Sequence, residues 1–439
     1  MQRITADWAA PLLDIGRRLS DLLRRTAVSR RTGLVAVLLV ITWFTGARLL
    51  NEGLHAHIYD FGNEALRAVQ AWENHGFFSM GGMYPWGRGY FDAASFPQTI
   101  YRSKTPLALL PLWLGYRLVG ESGFHLFKLY WSLAVVLLMG LLLAAIATSC
   151  FASRRVGDRQ LVFASTYAIA ITNEALLRYC LVDEPQYLGL FLHLLGVFLL
   201  LKWLRGPTAR AAGLRGVIGV FFLASWTYPI LGGINAVIAM GLKRLRPDRR
   251  LRWALGAIGL ASLLGPVLYF LQRWTVSAMF PDRLVGQRLP TRMGFTPDNN
   301  FHDGVFDALN FLFWQKSGET LESSGVAPSH AIEHYAVWIL GMVLFVLCLS
   351  RIRRDRQLLL ILSAGQMWLF IPLFHQTLSQ HPWIYGLLFT PTVVLGWVGA
   401  PTLLLPHRPG DSFPAFVMVG VAVLIWAIQL RFFLVNYLG

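Results

Sequence analysis

Apolar runs recur along this chain from Gly33 to its C-terminus. Most are about 17 to 25 residues long, enough to cross a hydrocarbon core of about 30 Å. Inside a bilayer no water satisfies backbone N–H and C=O groups, so each run must close its hydrogen bonds internally, as an α-helix does. The pattern predicts an all-α polytopic membrane protein. Composition agrees: 55% of the residues are hydrophobic and 14% charged, against roughly a quarter charged in a soluble domain. The net charge of +16, from 39 Lys plus Arg against 23 Asp plus Glu, would suggest nucleic acid if the cations formed one stripe. They fall instead in short clusters between the apolar runs, as cytoplasmic loops do, so no nucleic-acid partner is expected. Cys150, Cys180 and Cys348 lie far apart and form neither a CxxC pair nor a metal spacing.

The basic clusters set the topology. Residues 1–32 read as a cytoplasmic amphipathic segment, with Arg17, Arg18, Arg24 and Arg25 opposite a leucine-bearing side. The run 33–50 has no small-residue cleavage site after it, which predicts a retained span and an N-terminus inside. Inside loops are marked by Arg154 and Arg155, by Lys202 and Arg205, by Lys243 through Arg252, by Arg351 through Arg356, and by His407 and Arg408. About eleven spans satisfy all of these: 33–50, 125–149, 161–177, 187–204, 214–228, 230–243, 253–272, 334–350, 357–374, 384–405 and 415–436. Residues 33–439 then form a single transmembrane domain with two long outer loops, 51–124 and 273–333. Loops of this length are uncommon unless they are functional. The stretch 106–119, PLALLPLWLGYRLV, carries two prolines and Arg117, which suits an interfacial or re-entrant helix better than a crossing.

Chemistry-bearing residues gather on the outer side. In the first loop, Asp60 and Glu64 open a helical pattern over Phe61 to Asn74, with Ala65, Leu66, Val69 and Trp72 as its apolar stripe. Asp60 suits an N-cap, and it equally suits a carboxylate whose basicity is raised by partial desolvation. Arg102 and Lys104 precede the proline-broken helix, where they either snorkel or bind a phosphate at head-group depth. The outer turn between the third and fourth spans holds Glu174, Arg178, Asp183 and Glu184, with Pro185 opening the next helix. Near the end His375, His381, Trp383 and Tyr385 stand at an outer mouth. They are either interfacial anchors or the wall of a sugar or prenyl pocket, with His381 on a phosphate. In the second loop Asp298, His302 and Asp303 do not fix a metal geometry, and no metal ligand is assigned.

Three elements in order resemble a family. They are Asp60-Phe61-Gly62-Asn63-Glu64 followed by His75-Gly76, then Tyr101-Arg102-Ser103-Lys104-Thr105-Pro106-Leu107, then Arg178 with Asp183-Glu184. Together they resemble the GT-C glycosyltransferases, in the protein O-mannosyltransferase and aminoarabinose transferase branch, over roughly residues 33 to 205. Thr105 stands where that family often has a first proline, and the large soluble C-terminal domain of some members is not seen. The resemblance implies a GT-C-like fold and transfer of a sugar from a polyprenyl-phosphate donor to an acceptor hydroxyl on the outer face. It implies Asp60 as base toward the acceptor, Asp183 as the second-loop acid and Lys104 on the donor phosphate. Arg102 and His381 are further phosphate candidates, and Glu64, Arg178, Glu184 and Tyr385 supporting ones. No cofactor is required; a divalent cation is used in some branches.

The implied chemistry is physically coherent. A carboxylate within hydrogen-bond reach takes the proton of a hydroxyl as it attacks, and cations stabilise the charge that grows on the departing phosphate. A single displacement inverts the anomeric centre; retention would need a covalent carboxylate. The acceptor, whether glycan, lipid or protein, stays open. The excess of Arg over Lys points to GC-rich coding and so to a bacterial cytoplasmic membrane, with membrane lipids as neighbours and the active face outward. A transporter or flippase is the main alternative, since Tyr228-Pro229 breaks two short helices, although the spans are nearly free of charge at mid-depth.

Overall fold

The computed structural model describes residues 34–47, 59–80, 82, 84–86, 99–101, 106–151, 156–173, 176–177, 185–206, 211–244, 249–279, 284–285, 328–366, 368–369, 382–403 and 417–428. The amphipathic segment 1–32 lies outside them. The chain is an all-α polytopic membrane fold. Among the described residues three helices are long and apolar enough to cross a bilayer, within Pro106–Phe151, Tyr187–Arg205 and Arg249–Met279. Shorter apolar helices accompany them, including α1 (Leu34–Ala47) and one at Val417–Ile428. Between these lie α2 (Tyr59–His75), α3 (Leu110–Phe151), α4 (Val156–Ile171), α5 (Pro185–Arg205), α6 (Ala211–Thr227), α7 (Pro229–Arg244), α8 (Arg249–Met279), α9 (Pro328–Arg351), α10 (Arg354–Ala364) and α11 (Pro382–Leu403).

The helices pack by bringing small residues to their crossings, which is how membrane helices gain close contact without a hydrophobic drive between them. A Cβ built on Gly265 of α8 would stand 2.4 Å from Ser225 Oγ of α6, so glycine alone permits that approach. Several hydroxyls inside the bundle bond back to their own helices. Thr166 donates to the Val162 carbonyl and Ser363 to the Leu359 carbonyl, which satisfies them with no partner from another helix. One continuous apolar core results, reaching from Leu129 and Met139 of α3 through Leu194, Phe221 and Ile234 to Phe345 and Val394.

Two features mark the end of the bundle that carries α2. The long helix α3 is broken at Gly120, whose φ of 71° and ψ of −174° lie outside helical geometry and in a region that glycine tolerates. The first half is the stretch expected to be interfacial, and its Leu114, Leu118 and Val119 are exposed. A short 3-10 turn, η1 (Pro106–Ala108), precedes it. The second feature is a three-stranded sheet absent from the sequence expectations. Strand β1 (Tyr84–Trp86) pairs antiparallel with β2 (Thr99–Tyr101), and β2 pairs parallel with β3 (Leu284–Val285). The third strand comes from the second long loop, so the two long loops are joined by backbone hydrogen bonds.

Candidate functional site

The described elements flank the sequence candidates as follows. Asp60 and Glu64 sit in the first turns of α2, which packs on α3 and on β1. Strand β2 ends at Tyr101 and η1 begins at Pro106, so Arg102 and Lys104 fall between them. The turn η1 packs against α5 and α6, and α5 begins at Pro185, directly after Asp183 and Glu184. Tyr385 lies in the first turn of α11, and His381 immediately precedes that helix. The residues Arg102, Lys104, Arg178, Asp183, Glu184 and His381 lie outside the described residues, as do the side chains of Asp60, Glu64 and Tyr385. Among the described flanking elements, the fold brings η1 against α5.

The support of α2 is defined in atomic detail. Of its expected stripe, Ala65, Val69 and Trp72 are buried in one cluster with Leu109, Leu112 and Phe124, Leu66 is only partly buried, and Ala68 joins the buried face. Glu73, near its far end, accepts from Arg117 Nε at 2.5 Å and from Arg117 Nη2 at 3.4 Å, and also from the Trp113 indole N–H. The Arg117 guanidinium lies 4.5 Å from the Trp113 ring centre, a cation–π contact. Phe77 stacks on the other side, 5.8 Å from Trp113. The Arg117 hydrogen bonds hold the Glu73 carboxyl below the usual 4.5, against the opposing effect of desolvation, with the Trp113 hydrogen bond adding to the lowering. Glu73 in turn raises Arg117. Arg117, read from sequence as a reason against a crossing, therefore serves as the strap that holds α2.

Three residues missed by sequence reasoning stand at the same end. Lys128 is buried on α3, and Ser132 lies one turn on along the same face. The Ser132 carbonyl accepts from Tyr187 Oη at 2.7 Å, which ties α3 to the start of α5 just after Asp183 and Glu184. The signal in the sequence was a lone lysine inside the apolar run around Phe127 and Leu129. Asn173 is fully buried at the foot of the turn that carries Glu174 to Glu184. Its Oδ1 accepts from the Leu176 amide at 3.2 Å and from Thr390 of α11 at 3.4 Å. Its Nδ2 has no partner among the described residues.

Deeper in the bundle is a polar cluster that the sequence reading did not foresee. His193 of α5 is fully buried. Its Nε2 lies 2.7 Å from the Leu362 carbonyl, which can only accept, so that nitrogen carries the proton; Nδ1 then accepts from Asn235 Nδ2 at 3.1 Å. Gln366, just beyond α10, also contacts the ring and donates to the Leu362 carbonyl. Asn235 Oδ1 has no partner among the described residues. Among those residues no three His, Cys, Asp or Glu side chains come together, and Asp298, His302 and Asp303 lie outside them.

No family model matches the chain, and no curated protein matches it. A crystal structure of ArnT from Cupriavidus metallidurans in the apo state aligns with a TM-score of 0.46 at 16% identity, covering 93% of this chain and 72% of that one.

Proposed function

We propose that the chain is a GT-C-type membrane glycosyltransferase that moves a sugar from a polyprenyl-phosphate donor to an acceptor hydroxyl, with inversion. The observation that supports this most directly is the packing of η1, which follows Lys104, against α5, which follows Asp183 and Glu184. In this reading the basic clusters face the cytoplasm of a bacterial inner membrane and the α2 end faces outward. Asp60, carried on the strapped helix α2, takes the proton of the acceptor hydroxyl as its oxygen bonds to the anomeric carbon. The bond from that carbon to the phosphate oxygen breaks, and its electron pair leaves with the lipid phosphate. Lys104, Arg102 and His381 stabilise that charge, with the buried Lys128 as an added cation. Asp183, Glu184, Arg178, Glu64 and Tyr385 orient the sugar and one another. The prenyl chain of the donor lies among membrane lipids.

The test is to incubate the purified chain with a panel of polyprenyl-phosphate sugars, comparing wild type with Asp60→Asn and Lys104→Ala. Turnover by wild type and its collapse in both folded variants support the proposal; unchanged turnover in Asp60→Asn removes the base. A second reading, a transporter, draws on the buried His193, Asn235 and Gln366 cluster, since polar groups within a bundle mark transport paths. Substrate-dependent flux into sealed liposomes, without a new glycosidic bond, would favour it.

A further inference from the structure

A groove of about 480 Å³ opens on the side of the bundle between α7, α9 and the segment from α10 to Leu369. Its floor is buried: Phe345 is 1% exposed, and Leu242 and Ile238 are nearly as covered. Its rims are open, with Val237 at 60% and Trp368 at 41%. One mouth lies where α7 ends in Arg244, at the end of the bundle that carries the basic loops. Arg244 carries the charge in this lining, and no acidic residue is present among the lining residues. Arg351 closes α9 at the same end, two residues beyond the lining residue Leu349, and is exposed.

We infer that this groove binds one acyl chain of an anionic phospholipid, with the phosphate of its head group on Arg244. The groove is too small for another helix, whose diameter is about 10 to 12 Å along its whole length, yet it lies within the usual range for a small-molecule pocket. It follows α7 from Val237 to Arg244, about 10 Å at the helical rise, which suits an extended chain lying along a helix. A guanidinium at the mouth and apolar walls beneath it repeat, in order, the charge and the tail of such a lipid. Basic pockets between helices on a cytoplasmic face recognise anionic head groups in this way. The inference does not depend on the transfer reaction.

Gly241 makes the groove testable. A Cβ there would meet no atom within 4 Å, so a larger side chain grows into the void without strain. Gly365 on the opposite wall does not allow this, because its Cβ would stand 2.4 Å from the Ile361 carbonyl oxygen. The full chain is placed in nanodiscs of equal phosphatidylglycerol and phosphatidylcholine, and retained lipid is read by native mass spectrometry, with thermal unfolding as the check on folding. Wild type should retain phosphatidylglycerol about fivefold over phosphatidylcholine, the ratio expected of one basic residue at an anionic surface. Arg244→Gln should bring that ratio near one, and Gly241→Leu should lose retained lipid of both kinds. If Arg244→Gln does not fold, Arg244→Ala is read in its place. Equal retention of the two lipids by wild type, or a preference unchanged in the folded variants, overturns the inference. So does retention of an added polyprenyl phosphate in place of the phospholipid.

Discussion

The two ends of the bundle are held together by different chemistry. At the basic end, arginines donate to carbonyls in the last turns of neighbouring helices. Arg356 Nη1 reaches the Cys150 carbonyl at 2.8 Å, Arg250 Nη2 the Trp203 carbonyl at 3.1 Å, and Arg205 Nη2 the Ser149 carbonyl at 3.4 Å. Carbonyls in a last helical turn run short of intrahelical donors, although the Trp203 carbonyl also accepts from the Gly206 amide at 3.3 Å, and cations suit the negative ends of helix dipoles. The same side chains whose charge made these loops read as cytoplasmic thus also close the helix ends. At the other end, an aromatic ledge, one ion pair and a small sheet position α2, η1 and the start of α5. In the proposed function that end carries the chemistry, while the basic end is built for closure.

Substitutions should therefore separate. The largest effect is expected for Asp60→Asn, with turnover falling about a hundredfold or more, since a positioned base contributes about 10² to 10⁴, while thermal unfolding stays near wild type. Lys104→Ala should follow, with a loss of about a hundredfold in assays of a phosphate-linked donor. An intermediate effect is expected for Tyr187→Phe, which removes the bond to the Ser132 carbonyl; stability should fall by about 1 kcal/mol, and turnover with it. At the basic end, Arg356→Ala should leave turnover unchanged and lower the unfolding temperature, having removed a carbonyl partner. The smallest effect belongs to Glu73→Gln. Because the folded Glu73 is held below its ordinary value of 4.5, its stabilising contribution is present above that pH and is lost as pH falls through the folded value. The stability difference between wild type and Glu73→Gln should therefore shrink in acid. A difference that grew as pH fell would break the strap, and large turnover losses from the basic-end variant would break the contrast itself.

Much of the α2 end was legible in the sequence. The pattern over Phe61 to Asn74 appears as α2 (Tyr59–His75), because an apolar stripe at helical spacing is a local signal. The stretch 106–119, expected to be interfacial, ends where Gly120 breaks α3. The expected span 253–272 became the longer α8 (Arg249–Met279), since hydropathy marks a lipid-facing core but not the polar turns that extend beyond it. The sheet was not legible: strands of two or three residues carry no periodicity, and β3 lies far along the chain from β2. Nor was the polar cluster, since His193 is separated from Gln366 by 173 residues and each looked like an isolated polar residue in an apolar run.

Hydropathy and charge sum over neighbours in the chain, so the sequence by itself determined that this protein spans a bilayer and where its basic clusters fall between the apolar runs, and it nominated the acidic and cationic candidates. Tertiary structure alone decided that Arg117 straps α2 through Glu73, that Tyr187 ties α5 to α3 beside Lys128, and that α7, α9 and α10 leave a groove above Arg244. Those outcomes depend on which helices become neighbours. That choice is made by shape and small-residue contact between segments far apart in sequence, and no local pattern encodes it.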